Sequence, residues 1–364
     1  MKKEAKVTVW ILAVLFFGFS LLCWLKPAEE YSTAERRKLG QFPELTVSSV
    51  TDGTFMKRFE SYTLDQIPFR DGFRRLKAWV SAKVFRKADN NEIYIADGYA
   101  VKMEYPLKEE SLDYAADRFE HLYETYLKDS ADAIYLSVIP DKNYFLAEKS
   151  GHLSVDYDRI FEKMQQRMPY AQYIDVTDTL ELTDYYTSDI HWRQEMLVDT
   201  ARKIGSGMGI TLNAEYEKKR LDRPFYGVYF GQSALDLPGE TMEYLTNEML
   251  EQCTVYHYEN GTTSGIYDLK KAEGNDPYEL FLSGSESLLE LENPNGDTDR
   301  ELIVFRDSFG SSLIPLLAEG YRKITLADIR YIQSDLLDRW IDFEHKDVLF
   351  LYSTSVLMNS ETLK

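Results

Sequence analysis

Hydrophobic positions along the chain change their spacing twice. Val7 to Leu25, "VTVWILAVLFFGFSLLCWL", is an unbroken uncharged run, about as long as a helix needs to cross a hydrocarbon core. From Thr54 to Phe85 the apolar residues Phe55, Phe59 and Tyr62, then Phe73, Leu76, Trp79 and Val80 beyond Pro68, fall at helical intervals. Two helices divided near Pro68 are predicted. "NEIYIADGYAVKM" sets two β-rich runs around Asp97-Gly98, a hairpin signal.

Beyond residue 108 helical and strand patterns alternate. "AIYLSVIP", "AQYIDV", "ELIVF", "KITLADI" and "DVLFLYS" are short, β-rich and almost uncharged, the look of strands buried on both faces. Helical patterns lie between them: Lys108 to Asp129, Tyr157 to Met168, a segment beginning at Trp192 with Met196, Leu197, Ala201 and Ile204 on one face, Ser308 to Glu319, and "QSDLLDRWIDF". Such alternation predicts an α/β/α sandwich with a mostly parallel sheet. Residues 210–296 break the rhythm. They are rich in Tyr, Gly and acids, with a strand-like "CTVYHYE" and a hairpin signal at "NGTTSGIYDL", and read as a β-rich insertion. The expected organisation is a cytoplasmic N-terminus (1–6), a transmembrane anchor (7–25), a stalk (26–53) and a catalytic domain (54–364).

The exit of the apolar run, "LLCWLKPAEE", offers no small-residue cleavage site, and Leu22 stands before Cys23 where a lipoprotein signal wants a small residue. An uncleaved anchor is therefore expected rather than a signal peptide. Lys2, Lys3 and Lys6 precede the run and Lys26 alone follows it closely, which keeps the N-terminus inside and the remainder outside the cell membrane. That remainder is acidic. The chain carries −19 and its first 26 residues, with four lysines against one glutamate, carry +3, leaving −22. A field of that sign repels nucleic acid and anionic lipid unless a local basic groove overrides it. Cys253 is the one cysteine beyond the apolar run, so no intrachain disulfide can staple the domain.

Two stretches carry candidate chemistry. "YYTSDIHWRQE" sets Asp189 two residues before His191, and "LIVFRDSFGSS" delivers Ser308 at the carboxyl end of a predicted strand, where doubly wound sheets gather their reacting groups. A serine hydroxyl becomes nucleophilic beside an imidazole that a carboxylate orients. Backbone N–H groups from Ser308 to Gly310 would then face a developing oxyanion. Plainer readings stand beside this one: Ser308 as a helix cap, Asp189 as the cap of a helix starting at Trp192, and His191 as an ordinary polar residue. A metal site is the third option, but His121, His152, His257 and His345 are scattered without ligand spacing, and no cofactor is called for.

These stretches, with "STAERRKLGQFPELT", "FMKRFESYTLDQIPFRDGF" and "VIPDKNYF", resemble the DHHW protein family and the related alginate O-acetyltransferase proteins of the AlgJ and AlgX group, which have SGNH-hydrolase-like domains. Ile190 replaces the first histidine of Asp-His-His-Trp, while Asp189, His191 and Trp192 match. Arg306 stands where SGNH enzymes have glycine, a departure that bears on oxyanion geometry. The resemblance implies Ser308 as nucleophile, His191 as general base and then acid, and Asp189 as its orienter. It also suggests Tyr186, Lys142, Arg330 and Trp192 as substrate-cleft residues, though a packing role suits Trp192 as well. The implied function is extracytoplasmic O-acetylation of a cell-surface or secreted polysaccharide, with acyl groups supplied by a membrane-bound O-acyltransferase partner. A carbohydrate acetylesterase with the same triad and a non-catalytic polysaccharide-binding scaffold are the alternatives.

Overall fold

The computed structural model describes residues 3–296 and 298–364. Met1, Lys2 and Asp297 lie outside the described residues, and with them the start of the expected cytoplasmic segment. The chain forms two compact units, one of residues 1–91 with Phe230–Asp236, the other of Glu92–Tyr229 with Leu237–Lys364.

The first unit opens with α1 (Lys3–Leu25), a helix long and apolar enough to cross a membrane. The stretch expected as a stalk is folded. Tyr31–Ser32 and Arg37–Lys38 pair as a small antiparallel ribbon. Asp65, near the end of α2 (Thr54–Gln66), takes a two-pronged bond from the Arg37 guanidinium (2.6 and 2.9 Å) and a third from the Gly40 N–H. Pro68 disfavours a helical Ile67, so α2 stops at Gln66 and α3 (Arg70–Trp79) starts afresh.

The second unit is built on one eight-stranded sheet. Its strands in chain order are β1 (Ala133–Ile139), β2 (Gln172–Tyr173), β3 (Thr254–His257), β4 (Thr262–Ser264), β5 (Leu288–Glu292), β6 (Glu301–Arg306), β7 (Lys323–Ala327) and β8 (Asp347–Ser353). They lie in the order β4-β3-β5-β7-β6-β8-β1-β2. Five strands, β7 to β2 in that order, run parallel, and β5, β3 and β4 extend the sheet antiparallel. The residues read as an insertion thus supply three strands of the main sheet. Successive side chains of a strand face opposite ways. Leu302 and Val304 of β6 join one core with Ala201 and Ile204 of α7 (Val198–Gly207), while Ile303 and Phe305 join another with Leu112 and Phe119 of α4 (Glu109–Leu122) and Ile160 of α6 (Tyr157–Arg167). Helices therefore cover both faces, as parallel strands demand.

Two expected helices are shorter than their patterns. The segment after Trp192 becomes α-helical only at Val198, after a single 3-10 turn at Gln194–Met196, because Tyr185 and Trp192 bridge as antiparallel partners and hold its start extended. The segment after Ser308 is α8 (Gly310–Leu313) followed by a tighter helix over Ile314–Gly320. Pro315 cannot supply an N–H to a continuing α-helix there.

Candidate active site

The carboxyl ends of β6, β7, β8 and β1 deliver, in turn, Arg306-Asp307-Ser308, Asp328 with Arg330, Ser353-Thr354 and Asp141-Lys142. Every residue from Leu302 to Ala318 is buried except Ser308. Its hydroxyl is thus the one opening along a sealed stretch of strand, turn and helix.

His191 Nε2 lies 2.8 Å from Ser308 Oγ, and His191 Nδ1 lies 2.6 Å from Asp189 Oδ1. The structure brings the three residues together in one line of hydrogen bonds. Asp189 is fully buried; its Oδ1 also accepts the His191 N–H (3.1 Å) and its Oδ2 accepts the Val228 N–H (2.7 Å). A carboxylate so surrounded by donors remains an acceptor toward the ring. It therefore selects the tautomer with its proton on Nδ1, leaving Nε2 to accept from the serine. Asp189 does not cap a helix at Trp192, where the chain is extended, though its Oδ2 takes the first N–H of the short helix Val228–Ser233. Nor is Ser308 a cap: Asp307 Oδ1 accepts the Phe309 N–H (2.9 Å) ahead of α8.

The loop bearing Asp189 and His191 is closed by the Tyr185–Trp192 bridge and by Tyr186 N–H donating to the His191 carbonyl at 3.1 Å. Glu240 holds its amide side, accepting from the N–H groups of Thr187 and Ser188, the Ser188 hydroxyl and Arg193 Nη2 at 2.8–2.9 Å. Lys142 holds its carbonyl side, with Nζ donating to Tyr186 O (2.9 Å) and Thr187 O (3.2 Å). Burial pushes this lysine down to about 7, against the pull of the nearby Asp189 and Glu240 carboxylates. Gly227 lets the Val228 segment approach: a Cβ there would lie 2.3 Å from Ser188 O and 2.4 Å from Asp189 Cα.

Tyr278 lies flat on the His191 ring, 3.8 Å between centroids and 6° between planes, and its hydroxyl meets Ser312 Oγ at 2.8 Å. The Trp192 indole N–H reaches the Phe309 carbonyl (3.1 Å) and Ser312 Oγ (2.9 Å), and Gln194 Nε2 donates to Ser312 O. These contacts fasten the histidine loop to the turn that carries Ser308. None of Tyr278, Gly227, Glu240, Gln194 and Ser312 is singled out by sequence reasoning. Gly227 and Tyr278 lie among residues read as an insertion, and no local spacing ties either to His191.

The four expected cleft residues are placed differently. Tyr186 and Trp192 are wholly buried and Lys142 is 2% exposed, so none offers a surface to a ligand; they hold the loop instead. Arg330 is half-buried, with Nε and Nη2 on the two oxygens of the buried Asp328 at 2.9 and 2.6 Å. Arg306 turns beneath α8, with Nη1 donating to Ser311 Oγ (3.0 Å) while its Nε and Nη2 have no hydrogen-bond partner among the described residues. Gly310 makes room for it, since a Cβ there would sit 3.0 Å from Arg306 Cβ. The N–H groups expected for an oxyanion are mostly spent. Phe309 N–H goes to Asp307 Oδ1 and Gly310 N–H to Asp307 O, leaving that of Ser308 itself. Asp307 Oδ2 accepts the Ser353 N–H and hydroxyl at 2.8 and 2.7 Å, tying the ends of β6 and β8. Among the described residues no three His, Cys, Asp or Glu side chains are grouped to hold a metal ion.

In fold the second unit is an α/β/α sandwich on a mostly parallel sheet. The chain resembles a DHHW family protein from Eubacterium siraeum (19% identity, TM-score 0.61, 75% of this chain and 95% of that one). It also resembles Bacillus cereus PatB1, solved with a sulfonyl adduct (18% identity, TM-score 0.58, 73% and 97%). The O-acetyltransferase domain of Pseudomonas putida AlgJ aligns more loosely (12% identity, TM-score 0.45, 73% and 92%). At these identities the likeness is one of fold. No family model and no curated protein sequence matches the chain.

Proposed function

We propose that this chain is an extracytoplasmic, membrane-anchored O-acetyltransferase that acylates polysaccharide hydroxyls through Ser308, His191 and Asp189. The observation that carries the reading is the line of contacts from Ser308 Oγ to His191 Nε2 and from His191 Nδ1 to Asp189, ending on a hydroxyl that opens through an otherwise sealed turn.

Ser308 Oγ attacks the carbonyl carbon of an acetyl ester while its proton passes to His191 Nε2. Asp189 stabilises the imidazolium that forms, and the Ser308 N–H faces the oxyanion. The carbon–oxygen bond to the donor alcohol breaks, that alcohol takes the proton from Nε2, and an acetyl-serine remains. A sugar hydroxyl then gives its proton to His191, attacks the acetyl carbon and frees Ser308 Oγ, which is reprotonated from Nε2. The donor is expected from a membrane-bound O-acyltransferase partner, and α1 serves as the anchor that keeps the two together.

The test uses the full chain in detergent with an activated acetyl ester. Mass spectrometry should find one acetyl group on the peptide containing Ser308, and an oligosaccharide acceptor should discharge it into a sugar ester. Discharge into water, indifferent to acceptor, would make the protein an acetylesterase. A sulfonyl fluoride should label the same serine, as the adduct on the similarly folded PatB1 suggests. Neither acetylation nor labelling of Ser308 would leave only a polysaccharide-binding scaffold.

A further inference from the structure

α3 and the turn that continues it, Val80–Val84, are packed inside out. The face turned to the protein is small or polar: Ala78 and Ser81 are buried, and Arg74 reaches inward to Glu35 (3.1 Å) and to the Gly231 carbonyl (2.7 Å). The large apolar residues face out. Phe69 is 74% exposed, Phe85 69%, Leu76 and Trp79 57% each, Val84 58% and Phe73 49%. So many large apolar side chains exposed on one short helix mark a surface with a partner.

Two observations say which partner. Residues 67–91 hold seven basic side chains against two acidic ones, a net +5 within a chain of −19, and Arg75, Lys77, Lys83, Arg86 and Lys87 among them are exposed. Apolar anchors fringed by cations are what an interfacial helix presents to anionic lipid. The second is continuity with the apolar helix. The Phe73 ring meets Phe19 of α1 edge-on at 6.3 Å between centroids, so the exposed face adjoins the last third of the membrane-length helix. The geometry points to α3 and its continuation, residues 69–87, as a membrane-surface helix that beds Phe73, Leu76, Trp79 and Val84 into the outer interface of an anionic phospholipid bilayer. This rests on the reading of α1 as an anchor, and it gives the first unit a second attachment to the lipid beside α1.

The full chain, reconstituted in phosphatidylglycerol or phosphatidylcholine vesicles with or without acyl-brominated lipid, tests it through tryptophan emission. The difference between the protein and Trp79→Phe isolates Trp79. Brominated phosphatidylglycerol should quench most of that difference, phosphatidylcholine several-fold less, and the exposed-charge variant R75E/K83E/K87E should abolish the preference. Equal quenching in both lipids, or none in either, overturns the proposal; the second result would assign the face to a protein partner. In Trp79→Phe the bilayer-dependent quenching reports Trp10 and Trp24 of α1. If that persists while Trp79 escapes, the surface helix alone has failed; if it too is lost, the anchor has failed with it.

Discussion

At the scale of single residues, the proposed chemistry depends on two protons being held in order. Ser308→Ala should leave the fold intact and remove acetyl-enzyme formation, as read by mass spectrometry on the intact chain. Asp189→Asn should keep the loop's shape but present an N–H or the wrong tautomer to the ring, lowering the acylation rate by about 10⁴-fold. Lys142 gives a test that does not depend on turnover. Its burial holds the ammonium down to about 7 from the usual 10.5. Below that both folded and unfolded chains bind the proton, and between about 7 and 10.5 only the unfolded chain does. Stability should therefore rise with pH across that window, and Lys142→Met should remove that part of the slope in urea titrations from pH 6 to about pH 10.

At the scale of elements, the strands that carry the site were the easiest part to read. β1, β6, β7 and β8 are near-continuous apolar runs because both faces are covered, and β1, β6 and β7 lead to Lys142, Ser308 and Arg330. Asp189, His191 and Ser308 were also legible, since the motif types and their places at strand exits are local facts. What supports them was not. Gly227 matters through a close approach to residues nearly forty positions earlier, Glu240 through amides of a distant loop, and Tyr278 through one ring face, and none of these leaves a periodic trace. The place of the β-rich span 210–296 in the main sheet is not legible for the same reason: the antiparallel pairing of β5 with β7 is a long-range choice that alternation alone does not specify. Gly227→Ala tests this layer. Its methyl must displace the Asp189 backbone, so acylation should fall by about 10²-fold or more, with far-UV circular dichroism unchanged. Phe305→Ala, in the core under β6, should instead cost about 3–5 kcal/mol in denaturant unfolding.

For the molecule as a whole, the charge of −22 beyond residue 26 sets which acceptors approach readily. An anionic oligosaccharide should be acetylated slowly at low salt and faster as salt screens the field, while a neutral one should respond little; initial rates at two ionic strengths decide it. The sealed stretch around Ser308 carries one more consequence. If the proposed acetyl-serine forms at this one partly exposed position, donor and acceptor take turns there, the spent alcohol departing before a sugar attacks. Double-reciprocal plots of rate against donor, drawn at several acceptor concentrations, should run as parallel lines. Lines that cross would mean that both molecules can be housed at once.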